Sequence, residues 1–179
     1  MTKPVTYDRI SRLNHWIIAL AMIGMLAVGL YLEFGGLDRN AKRPLLNIHR
    51  SVGVLVLIFG AWRVAYRIKQ GFPPPASTSG PAWQERVAKW MHWALLAGII
   101  IMPVSGIAMT VFRGRAVDVF GWFAIPAQAK NDLLVSIGSN VHGAAGKLIA
   151  LLVIVHLLAA IKHHVVDKDA TLHRMIRGG

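Results

Sequence analysis

Long apolar runs without Asp, Glu, Lys or Arg extend over residues 13–32, 90–112 and 148–161. The first two match the roughly 20 residues that an α-helix needs to cross the hydrocarbon core of a bilayer. The 179-residue chain is 55% hydrophobic and only 16% charged, which is too little charge for a typical soluble domain. We therefore expect an integral membrane protein.

Four membrane spans are predicted, near residues 10–33, 45–68, 88–112 and 138–163, in a single domain covering residues 1–179. The second span contains Arg50 and Arg63, and it requires both side chains to reach the polar interfaces. The predicted fold class is all-α, a transmembrane four-helix bundle. The first run is too long for the core of a signal peptide and no small-residue cleavage pattern follows it, so we expect it to be a retained span.

Two of the connections have a distinctive composition. GFPPPASTSGPAW, between the second and third spans, is rich in Pro, Gly and Ser and predicts an extended, semi-rigid link. The connection before the fourth span contains VFGWFAIP, whose aromatic side chains are typical of a membrane interface.

The net charge of +12 reflects basic residues at span ends and in loops, so anionic lipid headgroups and charged cofactors are simpler partners than nucleic acid. Four spans place both termini on one side, and that side holds more of the Lys and Arg residues, which favours cytoplasmic termini. The chain contains no cysteine. This excludes disulfides, thiolate metal sites, cysteine-ligated iron–sulfur clusters and covalent haem attachment.

Histidines recur at two depths of the predicted bundle. The stretch HGAAGKLIALLVIVH begins with His142 and ends with His156, about 21 Å apart along a helix axis and within about 40° of one face. His49 opens the second span at the depth of His142. His15 and His92 open the first and third spans at the depth of His156, and the residues alone leave the choice between them open.

Opposed imidazoles in apolar surroundings suit a haem b, whose iron takes one axial nitrogen from each side. Zinc would require four ligands, often Cys, Asp or Glu, and no such cluster is apparent. Gly53 and Gly146 lie one turn beyond His49 and His142 and would let the backbone approach a porphyrin face. Arg50 and Lys147 lie near the same depth and are candidates to pair with haem propionates.

Each of these residues also has a plainer interpretation. A histidine near a span end commonly bonds to water or a carbonyl, glycines in membrane helices commonly serve helix packing, and basic side chains near span ends commonly reach the interface. The joint pattern, with histidines matched at two depths, favours two bis-histidine haems.

Several stretches resemble the bacterial cytochrome b561 family of four-helix, di-haem b cytochromes: YDRISRLNHW, KRPLLNIHRSVG, MPVSGIAM, FRG, HGAAGKLIALLVIVH and KDATLHRM. The resemblance implies that His15 and His156 bind the inner haem and that His49 and His142 bind the outer haem. It leaves His92 without a ligand role. It also implies a location in the bacterial inner membrane.

The resemblance further implies single-electron transfer, most closely that of stand-alone members that oxidise superoxide at the periplasmic face and reduce ubiquinone in the membrane. Basic outer residues, among them Arg43, Arg113 and Arg115, are candidates to attract superoxide. The candidates for contact with quinone are His163, one heptad beyond His156 on nearly the same face, with Arg12 and Asn14.

Two other functions remain open from the sequence. One is a cytochrome b subunit that carries electrons for a membrane dehydrogenase or hydrogenase, with a redox protein bound to the basic outer face. The other is a metal or proton transporter lined by histidines, which would be colourless when purified. Haem potentials, the quinone used and the oligomeric state are not predicted from the sequence.

Overall fold

The computed structural model describes residues 6–76 and 81–178 and confirms the predicted four-helix transmembrane bundle. All four long helices have the length and apolar composition needed to cross a membrane. The elements in chain order are α1 (Arg9–Phe34), α2 (Arg39–Gln70), α3 (Ala82–Val111), β1 (Val117–Val119), β2 (Phe123–Ile125), α4 (Asp132–Val165) and α5 (Thr171–Ile176).

Side chains that cap helix N-termini set where three of the long helices begin. Asp8 accepts a hydrogen bond from Ser11 N at the start of α1, and Asp38 accepts two backbone N–H bonds at the start of α2. Asn131 does the same for α4 through Leu134 N. Each such cap stabilises a helix by about 1 kcal/mol. Because of these caps, α2 and α4 begin about six residues before the predicted membrane spans.

The four long helices pack in chain order around the bundle, so that α2 and α4 lie diagonally opposite each other. The closest packing joins α3 to α4. A methyl group built on Gly98 would lie 2.6 Å from Ile149 Cδ1, and one built on Gly138 would lie 3.0 Å from Ser105 O. Glycine at these positions therefore lets the two backbones approach each other.

The buried apolar core occupies the middle of the bundle. Its buried members come from all four long helices: Ile18, Met22, Val56, Leu96, Ile99 and Ile149. Ile149 lies midway along α4 between the two histidines that the sequence analysis singled out. The core therefore separates the two predicted histidine levels and keeps water out of the space between them.

A short β-hairpin covers one end of the bundle, where the sequence analysis predicted only an interfacial loop. Strands β1 and β2 are antiparallel, and Val117 and Val119 are 1% and 0% exposed. Ser51 Oγ of α2 donates to Asp118 O (3.0 Å), which fixes the hairpin to the bundle. Trp122 at the tip remains 72% exposed, in agreement with an interfacial aromatic.

The end of the bundle that carries this hairpin is called the hairpin side, and the opposite end, with the start of α1 and the end of α4, is called the terminal side. Helix α5 folds back across the terminal side. Arg12 donates to Ile176 O (2.9 Å) and Trp16 donates to Met175 O (3.1 Å), which fastens the end of α5 to α1. Residues 77–80 of the predicted extended link lie outside the described residues.

Candidate functional site

On the hairpin side, α2 and α4 bring His49 and His142 face to face. Their ring centroids are 6.1 Å apart and the ring planes are inclined by 79°. A metal ion at about 2.0 Å from each imidazole nitrogen would place two facing centroids about 6.2 Å apart. The two helices do not pack against each other, so the space between them is bridged by side chains. This pair therefore fits a ligand held from both sides.

The hydrogen bonds of His142 leave one ring nitrogen available. His142 Nδ1 lies 2.9 Å from the carbonyl oxygen of Met102, which can only accept, so the imidazole proton sits on Nδ1. Ser105 Oγ lies 3.2 Å from the same nitrogen. A backbone carbonyl at Nδ1 orients a metal-binding histidine and leaves Nε2 free to coordinate.

His49 has a buried nitrogen that the protein does not satisfy. Its Nδ1 has no hydrogen-bond partner among the described residues. An unpaired buried donor or acceptor costs about 1–3 kcal/mol and calls for a partner. A buried imidazole nitrogen without a protein partner, on a ring that faces His142, fits a site for a cofactor.

Glycines surround this histidine pair. A methyl group on Gly106 would lie 3.0 Å from His142 Cε1, and one on Gly29 would lie 3.4 Å from His49 Cε1. Neither glycine was predicted from the sequence. The predicted glycines, Gly53 and Gly146, face only the ends of methionine side chains, at 3.6 and 3.4 Å from an added methyl group. Their surroundings are therefore loosely filled by flexible groups, as a porphyrin face requires.

The two basic residues predicted to pair with propionates have different surroundings. Lys147 Nζ lies 3.0 Å from Glu33 Oε1 of α1, and both side chains are about half exposed. Arg50 forms no ion pair among the described residues, and Arg113 and Arg115 lie close enough to repel it. Arg50 is thus the better placed of the two to receive an anionic group.

Three histidines meet at the other level, on the terminal side. The centroid of His156 lies 6.4 Å from that of His15 and 5.7 Å from that of His92. His92 stacks on Phe72 at 5.3 Å. Helices α3 and α4 are tightly packed, whereas α1 and α4 touch only slightly. A large planar ligand therefore has room between His15 and His156 but would have to separate α3 from α4 to lie between His92 and His156.

Arg63 of α2 reaches into this group. Its Nη2 lies 2.9 Å from His15 Nδ1, and its Nη1 donates to Asn14 Oδ1 at 3.2 Å. Because a guanidinium only donates, His15 Nδ1 accepts here and the ring proton sits on Nε2. Asn14, predicted as a quinone contact, is 7% exposed and is engaged by Arg63.

The residues predicted to attract superoxide lie on the hairpin side. Arg113, Arg115 and Lys130 line an open pocket of about 460 Å³, and Asp132 is the acidic residue in its wall. Arg43 is exposed on α2 but does not line this pocket. The surface combines several positive charges in one concave region, and such a region attracts small anions.

His163, the main predicted quinone residue, lies at the end of α4 beside two carboxylates. Its Nδ1 is 2.7 Å from Asp169 Oδ2 and 3.2 Å from Asp167 Oδ2. Burial acts to raise the pKa of Asp169, but hydrogen bonds from Thr171 and His163 outweigh it, so the pKa lies below its ordinary value. The three side chains have metal-ligating atoms within 4.8 Å of one another, but Lys162 Nζ already supplies a cation to Asp167 at 2.7 Å.

The predicted quinone residues share one end of the bundle without sharing hydrogen bonds in the described parts of the chain. Arg12 donates to the end of α5, Asn14 accepts from Arg63, and His163 is bound to Asp169.

Comparison with known proteins gives one family and several relatives. The family model described as prokaryotic cytochrome b561 matches residues 6–178. The chain is 29% identical to "Cytochrome b561 homolog 2" of Escherichia coli (strain K12), over 97% of this chain and 92% of the relative. It is 28% identical to "Cytochrome b561 homolog 1" of the same strain, over 90% and 92%. It is also 28% identical to "Probable superoxide oxidase CybB" of Yersinia pestis, over 90% of each chain.

Proposed function

Because the chain belongs to the prokaryotic cytochrome b561 family, we propose that it is a superoxide:ubiquinone oxidoreductase with two bis-histidine haems b. Proteins of this family bind b-type haem and transfer electrons in membranes. Our proposal adds the number of haems, their ligands and the two substrates. The observation that carries it is the presence of two histidine pairs with centroid separations of 6.1 and 6.4 Å at opposite ends of an apolar core.

His49 and His142 are the proposed ligands on the hairpin side, and His15 and His156 are those on the terminal side. Both pairs join helices that do not pack closely, and both separations suit an axial ligand pair. Gly53 and Gly146 are proposed to lie against the porphyrin on the hairpin side. Arg50 is proposed to pair with its propionates, and Lys147 could do so only by sharing its charge with Glu33.

The haems, when bound, would supply single-electron transfer between the two ends of the bundle. Two superoxide ions each lose one electron and leave as dioxygen, and one ubiquinone takes up both electrons with two protons. The chain's own residues attract the anion, hold the imidazoles in place and supply the protons. The apolar core between the two levels excludes water, so protons and ions cannot follow the electrons.

Superoxide is proposed to arrive at the hairpin side. Arg113 and Arg115, with Arg43 nearby on the surface, would raise the local concentration of a small anion. A cleft lined by one sign of charge raises association rates by roughly 10–10³-fold, with a steep dependence on salt. We propose that this side faces the periplasm and that both termini lie in the cytoplasm, with the chain in the bacterial inner membrane.

Ubiquinone is proposed to bind at the terminal side near His163. Because Asp169 and Asp167 are acceptors, they hold the proton of His163 on Nδ1 and leave Nε2 to exchange a proton with a quinone oxygen. Arg12 and Asn14 are weaker candidates because each already has a protein partner.

A reduced-minus-oxidised spectrum with a haem-to-protein ratio tests the cofactor part of the proposal. We expect about two haems per chain, about one after His142→Ala and about one after His156→Ala. His164→Ala, which changes an exposed histidine of the same helix, is the matched control and should leave both. A colourless wild-type protein, or a His156→Ala protein with full pigment, would refute the proposal.

Stopped-flow mixing of the isolated protein with superoxide tests the substrate part. Rapid haem reduction followed by reoxidation on adding ubiquinone is expected. The alternative function, an electron-transfer subunit of a dehydrogenase or hydrogenase complex, is favoured by one observation, the 72% exposed Trp122 on the same side of the bundle as the basic pocket. Haem that superoxide does not reduce, together with a redox protein that co-purifies, would support that alternative.

A further inference from the structure

Two arginines of α2, the half-buried Arg63 and the buried Arg67, carry positive charge on the terminal side without a carboxylate partner in residues 6–76 and 81–178. Arg63 bonds to His15 Nδ1, Asn14 Oδ1 and, at 3.4 Å, the carbonyl oxygen of Ser11. Arg67, one turn further along, is only 6% exposed. It donates to Gly71 O and Ser11 Oγ, so every one of these partners is electrically neutral.

Such an arrangement is unfavourable for the protein alone. Removing a charge from water is costly unless an opposite charge compensates it, and like charges one turn apart on a helix repel each other. Nearby acidic groups do not compensate these arginines. Asp8 is bound to Tyr66 Oη and Ser11 N, and burial raises the pKa of Tyr7, which therefore remains an uncharged phenol under the guanidinium of Arg67.

The position of Arg63 on α2 connects it to the terminal-side histidines. His49 and Arg63 are separated along α2 by the same number of residues as His142 and His156 along α4, and both histidines are followed by glycine one turn later. Arg63 therefore occupies on α2 the level and face that the second histidine occupies on α4. Helix α2 thus presents a histidine to one level and a cation to the other.

The present bond between Arg63 and His15 is incompatible with iron coordination through Nε2. A histidine bound to iron through Nε2 carries its remaining proton on Nδ1 and cannot accept from a guanidinium. When His15 acts as a ligand, Arg63 must therefore bond elsewhere. An anion at the same level would satisfy it, and a planar guanidinium is well matched to a carboxylate.

We propose that Arg63, with Arg67 one turn nearer the terminal side, binds the propionate carboxylates of the haem held by His15 and His156. This rests on the proposed function, which places a haem at that level. It gives the terminal-side haem a pair of cationic contacts, as Arg50 gives the hairpin-side haem one. A nearby cation disfavours the more positive ferric state, so these arginines also raise the reduction potential of that haem.

Redox titration of the purified holoprotein tests this directly. Removing the charge in Arg63→Gln should increase the ferric-to-ferrous ratio of one haem about tenfold at fixed ambient potential, which is about 59 mV for a one-electron couple. The affected haem is identified as the one that disappears in His15→Ala. Arg63→Lys should shift it less. Lys69→Gln removes the same charge from an exposed position on the same helix end and should shift neither haem.

Haem with esterified propionates identifies the anion. Native haem should pass from the terminal side of Arg63→Gln to an excess of a high-affinity haem-binding protein about tenfold faster than from wild type, because a charge-assisted contact is lost. Haem dimethyl ester should leave the wild-type protein about as fast, and Arg63→Gln should not accelerate the loss of the ester further. An unchanged potential in Arg63→Gln, or an equal effect of Arg63→Gln on the loss of haem and of its ester, would overturn the proposal. An effect of Arg63→Gln that vanishes when anionic lipids are replaced by zwitterionic ones would assign the anion to an acidic lipid headgroup and overturn the proposal as well.

The proposed function and the arginine–propionate contact can be refuted separately. A wild-type protein without haem would refute the proposed function. If Arg63→Gln does not retain haem, the wild-type protein still decides, because equal retention of haem and of its dimethyl ester at the terminal side would overturn the arginine–propionate contact while leaving the histidine ligands intact.

Discussion

Gly146→Ala distinguishes a role in helix packing from contact with a porphyrin, because the added methyl group should have opposite effects on the haem-free and the haem-bound protein. In the protein alone the added Cβ would meet only Met102 Cε, at 3.4 Å, an ordinary contact with the end of a flexible side chain. Alanine is favoured over glycine inside a helix by about 0.8–1.0 kcal/mol. The haem-free variant should therefore fold, with a free energy of unfolding raised by up to about 1 kcal/mol.

In the haem-bound protein, a porphyrin against the backbone of Gly146 should make the added methyl group unfavourable. Adding a methyl group to a filled site costs about 1–3 kcal/mol. At about 1.4 kcal/mol per factor of ten, haem affinity on the hairpin side should fall by about 5- to 150-fold. Gly53→Ala, where the added Cβ would meet Met25 Cε at 3.6 Å, should behave in the same way.

The assay follows haem loss to an excess of a high-affinity haem-binding protein, together with thermal unfolding of haem-free samples. Gly24→Ala is the matched control because an added Cβ there has nothing within 4 Å, so it should change helix stability but not haem retention. A Gly146→Ala protein that unfolds at higher temperature and holds both haems as tightly as wild type would refute the packing role. Gly146 would then serve helix packing alone.

Three further outcomes are expected. Superoxide oxidation should slow at least tenfold in an Arg113→Glu, Arg115→Glu double variant at low ionic strength, and the difference from wild type should shrink as salt is added. Stopped-flow rates that differ by the same factor at all salt concentrations would contradict electrostatic attraction of superoxide by these residues. His163→Gln should leave both haem spectra unchanged and lower quinone reduction, whereas His164→Gln should change neither; equal turnover by the two variants would remove His163 from the quinone site. Burial alone would raise the pKa of Asp169, but hydrogen bonds hold this pKa below its ordinary value. The carboxylate therefore stabilises the C-terminal segment at neutral pH, and this stabilisation is lost as pH falls below about 4. Limited proteolysis should show that segment released in acid in the wild-type protein, and Asp169→Ala should release it at neutral pH too. Release with the same pH dependence in both proteins would contradict this.

The helices were predictable because a bilayer leaves few alternatives. Uncharged runs of sufficient length must be helical, since each backbone N–H and C=O in hydrocarbon needs a partner within the segment. The exact starts of α2 and α4 depend on the caps at Asp38 and Asn131, which lie outside the apolar runs that defined the spans. The hairpin was missed because its strands have three residues each and depend on Ser51, far away in the chain.

Within the candidate site, features set by the spacing of residues along one helix could be predicted, whereas contacts between residues on different helices could not. The interval between His142 and His156 predicted two levels, and the structure brings opposing histidines together at each, two on the hairpin side and three on the terminal side. Partners distant in the chain left no such pattern, and the ion pair of Lys147 with Glu33 was therefore not predicted. Arg63 was treated only as an interfacial charge, although its spacing from His49 repeats the spacing on α4.

The position of the two levels makes the proposed reaction sensitive to membrane potential, which links the fold to the direction of electron flow. The histidine levels are about 21 Å apart in a hydrocarbon core of about 30 Å, so each electron that passes between them crosses roughly two-thirds of the membrane field. At about 2.3 kcal/mol per charge per 100 mV, this corresponds to about 1.5 kcal/mol per electron at 100 mV. Electron entry at the hairpin side with quinone reduction at the terminal side is therefore opposed by a potential that is negative inside.

If quinone were instead reduced next to His49 and His142, electrons would not cross the core, and turnover in vesicles would not respond to an imposed potential. A potential-dependent rate that is lost in His156→Ala would assign quinone reduction to the terminal side, whereas a rate indifferent to potential would move it to the hairpin side.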